Sequence, residues 1–137
     1  MSDFGDDGYA RWERERIADE SEWEVASADG EIAGGTYSDS FRFHPRPLSL
    51  DARSGRVHQM FGDVWEWTSS AYSPYPSYTV SEGALGEYNG KFMANQIVLR
   101  GGSCATPQNH IRPTYRNFFY APNKWQFMGF RLTRDAR

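Results

Sequence analysis

The sequence predicts an α+β domain in which short antiparallel strands, two helices and long ordered loops surround aromatic clusters. Three observations carry that expectation. Residues 61–68 set Val64, Glu66 and Thr68 on one face and Trp65 and Trp67 on the other, the period-2 pattern of a strand. Asp19 with Glu22 three positions later is the signature of a capped helix start. The 13 Gly and 7 Pro occur beside 16% aromatic residues, a balance that favours loops built on aromatic packing over a helical bundle.

In chain order, residues 6–15 hold Tyr9 and Trp12 three apart among charges, so a short helix with one aromatic stripe is expected there. Residues 19–29 predict a second helix with Trp23 and Ala26 facing inward, closed by Asp29-Gly30. From Gly30 to Arg56 glycines and prolines break any periodicity, and loop is expected. Two prolines in residues 72–78 remove ladder amides, so that aromatic stretch is read as an ordered loop. Residues 96–100 form an apolar run stopped by Arg100-Gly101-Gly102, where the backbone needs a conformation cheap only for Gly. Residues 127–132 are the third strand of an expected antiparallel sheet with 63–68 and 96–100. Residues 115–125 are read as an aromatic connection.

A chain of 137 residues suits one domain, residues 1–137. The net charge of −3 and the scattered basic residues argue against a nucleic-acid partner. No apolar run reaches membrane length and no leader-like segment opens the chain, so a cytoplasmic protein without a membrane partner is expected. One Cys excludes an internal disulfide framework.

The chemistry-bearing residues read as follows. Glu66, wedged between two indoles, is expected to be a structural carboxylate satisfied by backbone amides or by an arginine such as Arg100 or Arg131. Trp65, Trp67, Arg100, Gly101 and Gly102 are its structural company. Cys104 has no base nearby in sequence and reads as an inert thiol. His44, His58 and His110 have no partner at ligand spacing, so an iron triad from this chain is not expected.

The ordered set Tyr9-Ala10-Arg11-Trp12, residues 16–24, the Gly-Asp-Val-Trp-Glu-Trp-Thr strand, Val-Leu-Arg-Gly-Gly-Ser and Gly129-Phe130-Arg131-Leu132 resembles the formylglycine-generating-enzyme/sulfatase-modifying-factor superfamily. Within it, residues 72–78, 83–93, Cys104-Ala105-Thr106-Pro107 and 115–119 most resemble the C-terminal domain of the ergothioneine-biosynthesis sulfoxide synthases. The resemblance implies a C-type-lectin-like fold of the formylglycine-generating type, without the opening strands of the full domain. It implies a substrate-binding role in joining a thiol to trimethylhistidine with dioxygen. Iron would be needed in the complete enzyme, supplied by a helical domain bearing His-x-x-x-His-x-Glu that this sequence lacks and that another chain would carry; the chain alone is expected to be inactive.

The resemblance also implies site residues. Tyr88 is expected near the reacting centre as the catalytic candidate. Phe118, Phe119, Tyr120 and Trp125 are expected along the substrate wall, where an apolar Phe119 would favour cysteine over γ-glutamylcysteine. Arg112 or Arg116 would steer a carboxylate, and aromatic faces suit a trimethylammonium group. Asp63 is a candidate ligand for a structural calcium ion. Formylglycine generation is not expected, because Thr106 occupies the place of its first active Cys. The alternative function is a lectin-like ligand- or protein-binding module without catalysis.

Overall fold

The computed structural model describes residues 3–28, 32–48, 57–86 and 93–136. Two α-helices open the chain, α1 (Asp3–Trp12) and α2 (Glu20–Ser27), with a short strand β1 (Arg16–Ile17) between them. The first helix begins and ends three residues before the span expected at 6–15. The second starts as its sequence implies, but its inward face is Glu20, Trp23 and Ser27, and Ala26, expected inward, is exposed because it lies off the stripe that Trp23 and Ser27 share at i and i+4. Asp19 stands extended at the N-cap and accepts the Glu22 N–H, while the Glu22 side chain accepts the Asp19 N–H, closing a capping box. Ser27 ends it, and the expected stop at Asp29-Gly30 lies outside the described residues.

Among the described residues, β2 (Trp65–Ala71), β3 (Gln96–Arg100), β4 (Asn117–Tyr120) and β5 (Met128–Phe130) form one sheet in the order β4-β3-β2-β5. β3 pairs antiparallel with both neighbours, placing Glu66 opposite Arg100 and Leu99 opposite Asn117. β5 runs parallel to β2, with Trp65 beside Met128, so the sheet is mixed where an antiparallel one was expected. The chain reaches that edge through the long passage containing β3 and β4, and a crossover of that length permits parallel pairing. The expected strand at 127–132 is two strands. β6 (Leu132–Thr133) leaves the sheet after Arg131 and pairs with β1, tying residues 16–17 to residues 132–133.

β4 lies in what the sequence suggested was a connection. Phe118, Phe119 and Tyr120 show no alternation, and their strand state comes from the β3 ladder rather than from local pattern. The loop at 72–78 is a loop as expected, as is the described stretch 32–48 apart from two 3-10 turns, Ile32–Gly34 and Ser38–Ser40.

Trp65, Glu66, Trp67 and Thr68 are all buried, so both faces of β2 are covered and the alternation separates two interiors rather than core from water. The core joins Trp23 of α2, Tyr37, Met60, Phe61, Trp65, Trp67, Leu99, Ile111 and Met128. Trp23 meets Phe61 edge-on at 5.6 Å. No described helix is long and apolar enough to cross a membrane.

Candidate functional site

The site begins where β3 ends. Gly101 and Gly102 follow Arg100 with φ of 93° and 86°, in the left-handed region that β-carbons disfavour. A Cβ on Gly101 would stand 2.5 Å from the Met60 carbonyl oxygen, and one on Gly102 2.3 Å from Ile111 Cδ1. Only a Gly pair lets the chain turn this closely against the core, and the turn delivers Ser103 and Thr106. Their hydroxyls lie 3.2 Å apart, and Thr106 Oγ1 also accepts the Ser103 N–H.

Beside that turn is a cavity of about 300 Å³. Trp65 from β2 walls it from the core side, and Trp125 and Phe127, which precede β5, wall it from the solvent side. Ser103, Thr106 and Gln126 give it a polar stripe. The Gln126 Oε1 atom is buried with no hydrogen-bond partner. Aromatic walls with a few polar groups are the make-up of a small-molecule site.

Two buried ion networks hold these walls. Glu66 accepts from Trp23 Nε1 at 2.7 Å and from the Arg131 guanidinium at 2.6 Å, so Arg131, one of the two expected arginines, satisfies it. Burial pushes the Glu66 carboxyl up from its ordinary pKa, while Arg131 and Trp23 pull against that rise. Arg100 turns instead to α2, donating to Glu20 at 2.6 Å, to Glu24 at 2.7 Å and to the Pro113 carbonyl. Arg116 joins it by gripping both oxygens of Glu20.

The expected substrate-wall residues fall into three groups. Trp125 lines the cavity and Phe119 backs it, the two rings meeting edge-on at 5.1 Å. Phe118 stacks on Tyr72 at 4.0 Å, which covers one of its faces, and Tyr120 is half-exposed at the sheet edge; neither lines the cavity. Arg116 is committed to Glu20, whereas the Arg112 guanidinium lies 5.0 Å over the Tyr115 ring. Tyr88 lies outside the described residues.

The expected metal residue Asp63 and the histidines His44 and His110 have protein partners. Asp63 accepts the Arg46 N–H at 2.8 Å and the Thr36 N–H at 3.4 Å, so its carboxylate clamps two loop segments. His44 lies against Phe127 and His110 against Tyr115. Among the described residues no three His, Cys, Asp or Glu side chains gather as a ligand set. Cys104 is fully buried, burial pushes its thiol pKa up, and it does not line the cavity. Ser103, Thr106, Gln126 and Phe127 were not singled out for the site from sequence. Their signal was confined to the Arg-Gly-Gly-Ser turn, and Gln126-Phe127 carried none.

The chain belongs to the sulfatase-modifying factor family: the sulfatase-modifying factor enzyme 1-like domain matches residues 49–136. It is 32% identical to a hercynine oxygenase of Mycolicibacterium smegmatis over 97% of this chain and 36% of that protein. It is 27% identical to ergothioneine biosynthesis protein 1 of Schizosaccharomyces pombe over 88% of this chain and 15% of that protein. The structure of PvdO from Pseudomonas aeruginosa superposes with a TM-score of 0.68 at 22% identity, covering 96% of this chain and 59% of that one, which shows the fold. The chain spans about a third of the length of the hercynine oxygenases it matches.

Proposed function

We propose that this domain binds the substrates of a sulfoxide synthase of ergothioneine biosynthesis, on a C-type-lectin-like frame, in the cytoplasm. The iron ligands would come from a helical domain elsewhere in the assembly. The reading rests on relatives that carry hercynine oxygenase and ergothioneine names. The observation that carries it is the cavity between Trp65, Trp125 and Phe127. Electron-rich ring faces attract a quaternary ammonium, and the hydroxyls of Ser103 and Thr106 supply polar contacts for an imidazole. Phe119, behind Trp125, makes that flank of the site apolar. An apolar flank offers nothing to the amino group of γ-glutamylcysteine, so cysteine is the thiol favoured. Arg112 is the arginine left to meet a carboxylate, since Arg116 is bound to Glu20. Tyr88 keeps its place in this reading as the tyrosine near the reacting centre.

The test grafts residues 61–137 onto a synthase that has its own iron domain and uses γ-glutamylcysteine, then compares kcat/KM for the two thiols. A shift toward cysteine is expected, reversed by Phe119→Asp. An unchanged preference removes Phe119 from thiol choice, and loss of all trimethylhistidine binding in Trp125→Ala alone would assign the cavity regardless of the thiol. Tyr88→Phe in the same graft should lower kcat and leave KM for trimethylhistidine in place.

A further inference from the structure

We propose that His110 and Arg112, both seated on the ring of Tyr115, form a carboxylate-recognising clamp next to Trp65, the core-side wall of the cavity. The ligand class is a zwitterion whose ring or quaternary-ammonium end enters between Trp65 and Trp125; this deepens the betaine reading above and rests on it.

The clamp is built by two successive turns around one buried anchor. The 3-10 turn Gln108–His110 is closed by His110 N–H donating to the Pro107 carbonyl, and Ile111 N–H donates to that of Gln108. Ile111 then plunges into the core, packed so closely on Gly102 that no Cβ fits there. A second turn, closed by Tyr115 N–H donating to the Arg112 carbonyl at 3.0 Å, folds Arg112 back over the ring. His110 and Arg112 are therefore held exposed on either side of a residue fixed to the Arg-Gly-Gly-Ser turn.

Tyr115 is the shared platform. It meets the His110 ring at 4.8 Å and 61°, carries the Arg112 guanidinium at 5.0 Å, and contacts Trp65, a wall of the cavity, at 5.6 Å. Arg16, Arg100, Arg116 and Arg131 each pair with a carboxylate of this chain. Arg112 makes no ion pair among the described residues, and a guanidinium lying on a ring keeps its N–H edge open. That edge matches the two oxygens of a carboxylate. A His beside it adds a ring N–H donor, and a positive charge when protonated. The carboxylate that meets this turn from the neighbouring loop, Asp39, is occupied by the Gln108 N–H at 2.8 Å.

The experiment titrates the 137-residue chain with three probes, following calorimetry and tryptophan fluorescence: trimethylhistidine, its decarboxylated counterpart, and imidazole-4-propionate, which has the ring and carboxylate without the ammonium. In Arg112→Gln, trimethylhistidine should bind about tenfold or more weakly, as expected for loss of a charge-assisted contact. The decarboxylated probe should bind as to the parent chain. His110→Gln should give a smaller loss confined to the carboxylate-bearing probes, and Arg112→Lys should restore part of the affinity. Equal losses for both ammonium probes, or none, would overturn the clamp. If neither ammonium probe binds the parent chain, the betaine reading falls by itself. The clamp then stands only if imidazole-4-propionate binds and Arg112→Gln weakens it; failure of that probe to bind, or indifference to the substitution, overturns the clamp as well.

Discussion

Trp65 serves two roles that a single substitution separates from the rest of the core. Its ring is 6% exposed, joins the central cluster and walls the cavity. Trp65→Ala should cost about 3–5 kcal/mol, the range for deleting a large buried aromatic, against a total stability of about 5–15 kcal/mol. Chemical denaturation checks the loss, and near-complete retention of the midpoint would contradict the packing. Trp125 lines the same cavity at 68% exposure and contributes far less to the core. Trp125→Ala should therefore leave the midpoint within about 1 kcal/mol of the parent while weakening any ligand the cavity holds. Glu66 is a harder case, because removing its charge leaves Arg131 to be satisfied by the His58 and Gln59 carbonyls alone. Its neighbour Asp63 raises a separate question. Heating the chain with and without a calcium chelator should leave the midpoint unchanged if Asp63 acts only as a loop clamp, and a chelator-sensitive midpoint would place a structural cation there.

At the level of elements, α2 is where local chemistry and tertiary contact meet. The Arg16 guanidinium and the Asp19 N–H, in that order, hold the Glu22 carboxyl down at about 2. A carboxyl depressed in the folded state stabilises it above the ordinary value and loses that contribution as pH falls through the folded value. The α2 cap should therefore weaken between about pH 4.5 and about 2. Glu22→Gln should flatten this part of the stability profile, read from denaturation midpoints across that range; an unchanged acid limb would exclude Glu22 as its source. Because the Glu22 side chain is 39% exposed, the effect should be modest and diminished by salt. Removing the Asp19 cap with Asp19→Ala should cost about 1 kcal/mol. The inward face of the same helix is fixed differently. Glu20 and Glu24 hold Arg100, whose side chain is fully buried, and breaking such a pair from one side costs about 3–5 kcal/mol. Arg100→Ala should thus loosen α2 from β3 and disturb the Gly-Gly turn that follows.

For the whole molecule, pairing of β1 with β6 joins residues 16–17 to residues 132–133, and α2 packs on the sheet between them. Cutting the chain after β4 should therefore remove β5, Arg131 and the β1 partner together, and cooperative unfolding should be lost rather than merely shifted. The isolated chain should bind iron weakly and show no sulfoxide-synthase turnover, because oxygen activation needs a facial ligand set with open positions. Stoichiometric iron retained after dialysis, with spectra that change on adding trimethylhistidine, would overturn that expectation.

The sequence by itself determined the parts whose causes are local. The Asp19–Glu22 box and the positive φ at Gly101 and Gly102 each follow from a few adjacent residues and are found where the pattern places them, whereas the strand expected at 63–68 runs from Trp65 to Ala71, because Asp63 turns in the left-handed region before it. The resemblance carried by the Gly-Asp-Val-Trp-Glu-Trp-Thr and Arg-Gly-Gly-Ser motifs led to the right family. Tertiary structure alone decided the rest. β4 exists because β3 offers it a ladder, and β5 runs parallel because its position in space, rather than its composition, selects β2 as partner. The choice of Arg131 over Arg100 for Glu66 depended on which guanidinium the sheet brings within reach across 65 residues. The cavity was hidden for the same reason: Trp65, Ser103 and Gln126 belong to separate segments, and no periodicity records that a Gly-Gly turn and a parallel strand will set them around one space.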